Sequence, residues 1–403
     1  MSSGTITQPA AISTAPRGPA PVKDFCEFFA GIGLVRLGLA DSGWNCVFAN
    51  DLDEKKQQMY ERHFGPDEHY CRADVWNTDE IVAAIPGQPF LATASFPCVD
   101  LSLAGHWKGF SGEHSSSFFG FTRALQALGP RKPSLLLVEN VAGFVTSKSG
   151  RDFVAAAQEL AGLGYWLDAF YLDARHFVPQ SRPRVFVVGV QADCVAAAPV
   201  AIQQPGFTLN DPWQQAISAN QELRPGRLTA IMRGTTLKTG WMATRIQLPN
   251  HQPDGLETVI DCDDSAAWWK QAEVDRHYAM MSERHREQVD QFVQNGERRV
   301  GTIFRRQRRD KTRAEVRFDG LAGCLRTPRG GSAKQIVIAI DRGAVRMRWM
   351  SAVEYARLQG AADFRLLPNE RQMMFGFGDA VCVPAIRWID HCVLGPIHAA
   401  CVP

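Results

Sequence analysis

Three kinds of side chain stand at the ends of apolar runs in this chain, and together they describe covalent chemistry. The run LATASF leads straight into Pro97 and Cys98. A cysteine just past a buried strand, behind a rigid proline and before the polar loop VDLSLAGHWKGFSG, sits where a thiol is exposed and activated as a nucleophile. The run LLLV ends in Glu139 and Asn140, which puts a carboxylate near Cys98 on the same sheet edge; Asn140 reads equally as a helix cap. Gln180, Arg182 and Arg184 precede VFVVGV, where arginines either orient an anionic or carbonyl-bearing substrate or line the surface. The remaining cysteines read as small buried apolar residues.

A second group of residues points to a nucleotide-like ligand. In FFAGIGLVRLGL (Phe28 to Leu39), Gly31 and Gly33 permit a tight turn from a strand into a helix. A dinucleotide fingerprint requires a third glycine where Arg36 stands, which argues against a pyrophosphate-bearing cofactor such as NAD or FAD. Asp51 follows Gly31 by 20 residues, the place of a carboxylate that accepts hydrogen bonds from ribose hydroxyls. Asp74, in RADV, is a third carboxylate for the same edge, facing an exocyclic amine. Taken singly, each aspartate is as readily a helix cap or turn residue.

Positioning these groups requires a layered body. From Lys23 onward, strand-length apolar runs (Asp24 to Phe29, Cys46 to Ala49, Leu91 to Phe96, Leu135 to Val138, Trp166 to Leu172, Val185 to Val190) alternate with helical spacing at Asp53 to His63, Phe119 to Leu128 and Asp152 to Leu163. Runs such as LLLV are apolar without alternation, as expected of strands covered by helices on both faces. The sequence therefore predicts an α/β, doubly wound, mostly parallel sheet over residues 23–194. The βαβ rhythm then stops, and a second, smaller domain is expected over 195–335, with a return segment, 336–403, packing back on the first. Residues 1–22, rich in Ser, Thr, Ala, Pro and Gly, read as a flexible tail. Within the second domain, Arg298 to Phe318 (RRVGTIFRRQRRDKTRAEVRF) is either a solvated hairpin or helix face or a phosphate-facing surface, with TPRGG (Thr327 to Gly331) close behind it.

Composition narrows the class. With 403 residues, 45% hydrophobic and 21% charged, the chain buries a sizeable core, and disorder as its main state is excluded. Forty-four basic against 42 acidic residues leave +2, so nucleic-acid binding does not follow from net charge and must come from a local patch. No run approaches the ~18 apolar residues of a membrane span, and no secretory pattern opens the chain, so no membrane partner and a cytoplasmic address are expected. Ten cysteines without a C-x-x-C pair suggest reduced thiols, and His391, Cys392, His398 and Cys401, which lack zinc-ligand spacing, read as packing residues; no metal is expected.

The ordered motifs FAGIG, PC, ENV, Q-x-R-x-R and a late GFGDAV resemble those of the DNA (cytosine-5) methyltransferases, over about Glu27 to Val190 and Arg342 to Ile389. The family's target-recognition segment falls where the second domain is expected. The resemblance implies a Rossmann-like methyltransferase sheet and methyl transfer from S-adenosylmethionine, giving S-adenosylhomocysteine, to carbon 5 of a cytosine flipped out of duplex DNA. By this likeness Cys98, Glu139, Arg182 and Arg184 are the catalytic residues. Cys98 adds to C6, Glu139 serves the N3 and amine edge, and Arg184, with Arg182 nearby, holds the base carbonyl or the loop. The cofactor is expected against Phe29, Ala30, Gly31, Gly33, Asp51, Leu52, Asp74, Val75, Pro97, Asp379, Ala380 and Val381. Phe29 is assigned to the adenine, the glycines to the methionine portion, Asp51 to the ribose and Asp74 to the adenine amine. Ser102, Arg305, Arg306, Arg326 and Arg329 are expected on DNA.

Four positions depart from the family pattern. Glu27 replaces an Asp, Val99 a Gln or Asn, His114 an Arg, and Asp379 an Asn. None is Cys98 or Glu139, so activity is expected to survive, with cofactor affinity the property at stake. A tRNA cytosine-5 methyltransferase and a catalytically silent DNA-binding homologue are the alternatives; the first lacks its C-F-T motif here, where ENV is followed by AGFVTSKSG. The resemblance further suggests a monomer in the bacterial cytoplasm or nucleoid, serving a restriction or phage-defence system.

Overall fold

The computed structural model describes residues 22–66, 68–97, 117–203, 211–249, 253–308, 311–327 and 333–402. Cys98, Val99, Ser102, His114 and Arg329, and residues 1–21 of the tail expected over 1–22, lie outside them. A seven-stranded sheet forms the first body, from β1 (Asp24–Phe28), β2 (Asn45–Asn50), β3 (Tyr70–Cys71), β4 (Leu91–Ala94), β5 (Leu135–Val141), β6 (Tyr165–Asp173) and β7 (Pro183–Gln191), in the order β3-β2-β1-β4-β5-β7-β6. All run parallel except β7, which is antiparallel to both β5 and β6.

The unbroken apolar runs have the predicted cause. Along β5, Leu135 and Leu137 enter one core layer and Leu136 and Val138 the other; along β7, Phe186, Val188 and Val190 oppose Val185 and Val187 in the same way. Both faces are dry, so a polar residue on either would be buried. Helices Glu54–Phe64, Ser117–Ala127 and Arg151–Gly162 cover the sheet close to their expected bounds. Asp53 caps the first of these, its side chain accepting from the amides of Lys55 and Lys56.

Residues beyond Val190 do not leave this body at once. A two-stranded sheet, β8 (Val200–Ile202) with β9 (Met242–Thr244), and Trp213, Ile217, Leu228, Met232 and Trp241 complete one of its core layers, Trp241 stacking on Phe153 at 6.4 Å. Arg224, fully buried, pairs with Asp168 on β6 at 2.6 Å.

The separate sheet is antiparallel and four-stranded: β10 (Arg299–Arg308), β11 (Lys311–Arg317), β12 (Ile336–Asp341) and β13 (Ala344–Trp349), in the order β11-β10-β12-β13. Helices Gln271–Ala279 and Glu283–Gln294 contribute Val274 and Val289 to its core beside Ile303, Ile338 and Met347. Residues 336–349, expected in the return segment, therefore sit in this sheet, because β12 is paired on both sides, with β10 and β13. The basic run Arg298 to Phe318 is a hairpin of β10 on β11.

From Met350 the chain returns to the first body. A capping box at Ser351 and Glu354 starts helix Ala352–Leu358, and buried Arg348 pairs with Glu354. Glu370–Cys401 is long and apolar enough to cross a membrane by length and composition alone, but 56% of its apolar window is buried in the fold, where Ile386 lies against Gly38. His398 packs edge-on to Trp44 and Phe90.

Candidate active site

The carboxyl ends of β1, β2 and β4 open onto a cavity of about 360 Å³. Its floor is the turn after β1, where Phe29, Gly31 and Gly33 take positive φ of 56°, 58° and 80°. The turn is pinned by backbone: the Ala30 amide donates to the Asn50 carbonyl at 2.8 Å and the Gly33 amide to that of Ala30 at 2.8 Å. The Gly31 amide donates to Asp51 Oδ2 at 2.9 Å, and the Asp53 amide to Asp51 Oδ1 at 3.0 Å. Asp51 thus joins the turn after β1 to the turn after β2 while lining the cavity. Buried Asn50 donates from Nδ2 to the carbonyls of Cys71 and Ala73, which carries Asp74 to the same rim. Asp74 accepts from the Trp76 amide through Oδ1 at 3.0 Å.

Of the expected cofactor residues, Phe29, Ala30, Gly31, Asp51, Leu52, Asp74, Val75, Pro97, Asp379, Ala380 and Val381 line this cavity. Gly33 does not. A Cβ there would meet Phe64 at 2.5 Å and Tyr60 at 2.7 Å, so it is the close approach of helix Glu54–Phe64, together with the backbone angle, that requires glycine. Glu27 also lines the cavity, buried, with neither carboxyl oxygen hydrogen-bonded. Burial pushes its carboxyl up to about 8, an effect that Arg36 and the Val35 amide offset only in part.

On the neighbouring strands, Arg184 Nε lies 2.8 Å from Glu139 Oε1, both side chains largely buried. Asn140 Nδ2 donates to the Phe96 carbonyl at 3.1 Å, which fastens the end of β5 to the segment that leads through Pro97 to Cys98. Glu139 and the approach to Cys98 are thereby brought together.

Arg182 differs from the catalytic place expected for it. It is 1% exposed, and its guanidinium donates to the carbonyls of Leu325 (2.8 Å), Gly378 (3.0 Å) and Ala380 (2.6 Å) and to Cys324 Sγ (3.4 Å). Three of these bonds go to the chain's own backbone. Gln180 donates to the Leu358 carbonyl and accepts from the Leu325 amide, and Gln359 donates to the carbonyls of Phe377 and Ala380. This polar clamp holds Asp379, Ala380 and Val381 against a cavity built by the start of the chain.

Sequence reasoning missed Lys56. From the first turn of helix Glu54–Phe64, its ammonium reaches Asp379 Oδ2 at 3.3 Å and Asp51 Oδ2 at 4.0 Å. Burial lowers its pKa, but the two carboxylates outweigh that and hold it above the usual lysine range. Only the coincidence of an unusual Asp379 with a lysine after Asp51 could have signalled the contact.

On the separate sheet, Arg306 and Arg326 are exposed and flank the Phe304 ring at 5.5 and 5.4 Å. Arg306 is also paired with Glu315 at 3.0 Å. Arg305 points instead to the helix-covered side, over Trp349 at 4.7 Å, since successive residues of a strand face opposite ways.

The arrangement offers a sheet-edge cavity with carboxylates for a nucleoside, beside a paired carboxylate and arginine, with a basic hairpin on a separate sheet. The pattern of the C-5 cytosine-specific DNA methylases matches residues 23–392. The type II methyltransferase M.BsuFI of Bacillus subtilis is 35% identical over 170 residues, covering 42% of this chain and 39% of that protein. M.HhaI of Haemophilus parahaemolyticus is 31% identical over 170 residues, covering 42% and 49%. The matched stretch is thus less than half the length of either relative. The crystal structure of the S. pombe Dnmt2 methyltransferase shares the fold, with a TM-score of 0.54 at 15% identity over 93% of this chain and 98% of that one. Because the family pattern runs from the glycine turn under the cavity through to the late segment clamped over it, the chain belongs to the C-5 cytosine-specific DNA methylase family.

Proposed function

We propose that the protein methylates carbon 5 of a flipped-out cytosine in a specific duplex DNA sequence, using S-adenosylmethionine and a covalent bond from Cys98 to C6. The observation that carries this is the Glu139–Arg184 pair beside the Asn140 anchor of the segment leading to Cys98. The cavity suits the cofactor. It offers carboxylates at Asp51 and Asp74, the Phe29 side chain, and in Glu27 a buried carboxyl that Arg36 and the Val35 amide stabilise only in part and that a cationic ligand would complete. Bound there, the cofactor supplies an electrophilic methyl group.

Cytosine C5 is a poor nucleophile until C6 is attacked. The Cys98 thiolate forms a C–S bond at C6, and the displaced electron pair is taken up toward N3, leaving an enamine nucleophilic at C5. Glu139 shares a proton at N3 as charge develops there, and Arg184 holds the carboxylate to that edge. After C5 is methylated, a base takes the C5 proton, and the electron pair of that bond re-forms the ring double bond and expels the thiolate. Arg182 positions residues 378–380 and touches no substrate. Flipping costs about a few kcal/mol of unstacking, which the loop after Cys98 and the basic hairpin would repay through contacts to the opened duplex.

Ser102 and Arg329 are assigned to DNA beside Arg306 and Arg326. We further propose a monomer in the bacterial cytoplasm or nucleoid working beside a restriction or phage-defence system; the type II methyltransferases among its bacterial relatives favour the restriction reading. The decisive experiment incubates the wild type and Cys98→Ala with methyl-labelled S-adenosylmethionine and, separately, duplex DNA and tRNA. Labelled 5-methylcytosine in DNA from the wild type alone is the expected result; label in tRNA, or none in either, overturns the proposal.

A further inference from the structure

The Lys56–Asp379 contact stands between two cavities. On one side is the 360 Å³ cavity at the strand ends; on the other is a space of about 550 Å³ lined by Asp53, Lys55, Met59, Asn369, Gln372 and Phe375. Lys56, Gly376 and Asp379 line both, so they form the partition. The partition joins distant parts of the chain: Lys56 belongs to helix Glu54–Phe64, while Asp379 is the last residue of helix Glu370–Asp379.

At Gly376 the two helices come so close that a Cβ would collide with Met59 and Ile32. Elsewhere along their contact, Gln372 Nε2 donates to the Lys55 carbonyl at 3.0 Å. Gly376 and Gln372 fix where the helices meet but put no bond across the partition itself. That is spanned by the 3.3 Å contact of Lys56 with Asp379, whose side chains are 23% and 47% exposed. A pair this exposed opens at little cost, whereas a backbone clamp would not. Lys56 also faces Asp51, so one ammonium serves two carboxylates, and an asparagine at 379 would remove one of them.

We propose that Lys56 and Asp379 form a latch on the cofactor pocket, and that opening of this pair toward the outer cavity sets how fast the cofactor product leaves. Lys56 is a positioning residue and takes no part in methyl transfer. The inference rests on the assignment of S-adenosylmethionine and S-adenosylhomocysteine to the inner cavity.

Stopped-flow displacement of S-adenosylhomocysteine from the full chain tests it, with wild type, Lys56→Met, Lys56→Arg, Asp379→Asn and the double variant Lys56→Met/Asp379→Asn. Asp379→Asn is nearly isosteric, and circular dichroism confirms the fold of each protein. Each of the two charge-removing single variants should release the ligand about threefold to fivefold faster, the span expected of a half-exposed ion pair. The double variant should be no faster than either single one, and Lys56→Arg should stay near wild type. Raising the salt concentration should speed release from the wild type and leave the double variant unaffected. Unchanged off-rates in Asp379→Asn, or effects that multiply in the double variant, overturn the latch alone. A folded wild type that does not bind S-adenosylhomocysteine overturns the cofactor assignment and the latch with it.

Discussion

Glu139 and Arg184 meet diagonally across the antiparallel β5–β7 pair, Arg184 Nε 2.8 Å from Glu139 Oε1, with both side chains no more than 14% exposed. The arginine fixes where the carboxylate points. Arg184→Ala leaves a largely buried carboxylate without its partner and should lower kcat by roughly thirtyfold, about 2 kcal/mol, with the affinity for S-adenosylhomocysteine within about twofold of wild type. Steady-state kinetics beside calorimetric cofactor titration separates the two quantities. A parallel loss of cofactor affinity would move Arg184 from the reaction to the pocket.

Arg182 supports the fold around the site. Replacing it with Met keeps much of its volume but strands the carbonyls of Leu325 and Gly378, while that of Ala380 keeps its bond from Gln359. Each stranded buried acceptor costs on the order of 1 kcal/mol, so urea denaturation should show a loss of about 2 kcal/mol. Because Ala380 and Val381 line the cavity, cofactor affinity should fall as well. An unchanged urea midpoint would mean that the clamp contributes nothing.

The two glycines of the turn should respond differently to alanine. At Gly31, φ is 58° and the added Cβ has no heavy atom nearer than 4.0 Å, so only the backbone conformation is penalised, by about 1 kcal/mol. At Gly33, φ is 80° and the methyl runs into Phe64 and Tyr60, so strain and overpacking add, to roughly 3 kcal/mol or more. Thermal melts of the two variants side by side distinguish them; equal losses would contradict the tight contact with helix Glu54–Phe64.

How much of this was legible depended on how local the signal was. The LLLV run announced a strand buried on both faces, and Gly31, Asp51 and Asp74 lie at successive strand ends, so their convergence follows from the sheet order alone. The acceptors of Arg182 and the Lys56–Asp379 pair join segments that meet only after the return helices dock, and no spacing encodes that meeting. β3, only two residues long, offers no periodicity to read. β12 and β13 were missed for another reason. Arg342 and Gly343, at φ of 50° and 77°, make a two-residue hairpin turn, and this Arg-Gly signal is far weaker than Asn-Gly.

Glu27 should make the stability of the ligand-free protein pH-dependent. Its carboxyl rises from 4.5 to about 8 on folding, so the folded state binds the proton more tightly than the unfolded chain. The sign follows: the contribution is fully present below about 4.5, shrinks as pH rises, and is gone once pH passes about 8. Glu27→Gln cannot ionise. Relative to wild type it should gain stability progressively across that window, read as the difference between urea midpoints at the two ends. A constant difference would show that Glu27 ionises normally in the folded protein.

On the separate sheet, Arg306 and Arg326 are the exposed guanidiniums that the proposed DNA contact would use, whereas Arg305 lies over Trp349. Phe304 holds the two exposed guanidiniums on one outer face, but Arg306 is already paired with Glu315 and is therefore partly neutralised. Arg326→Ala should weaken binding to duplexes of every sequence and lower the slope of log K against log salt by about 1, as expected for one lost phosphate contact. Arg305→Ala should leave that slope unchanged while lowering the melting temperature, because it removes a packing contact. Fluorescence anisotropy over a salt series reads the slopes directly. A full-sized slope in Arg326→Ala would take this face off the DNA, and a reduced slope in Arg305→Ala would put the helix-covered side on it.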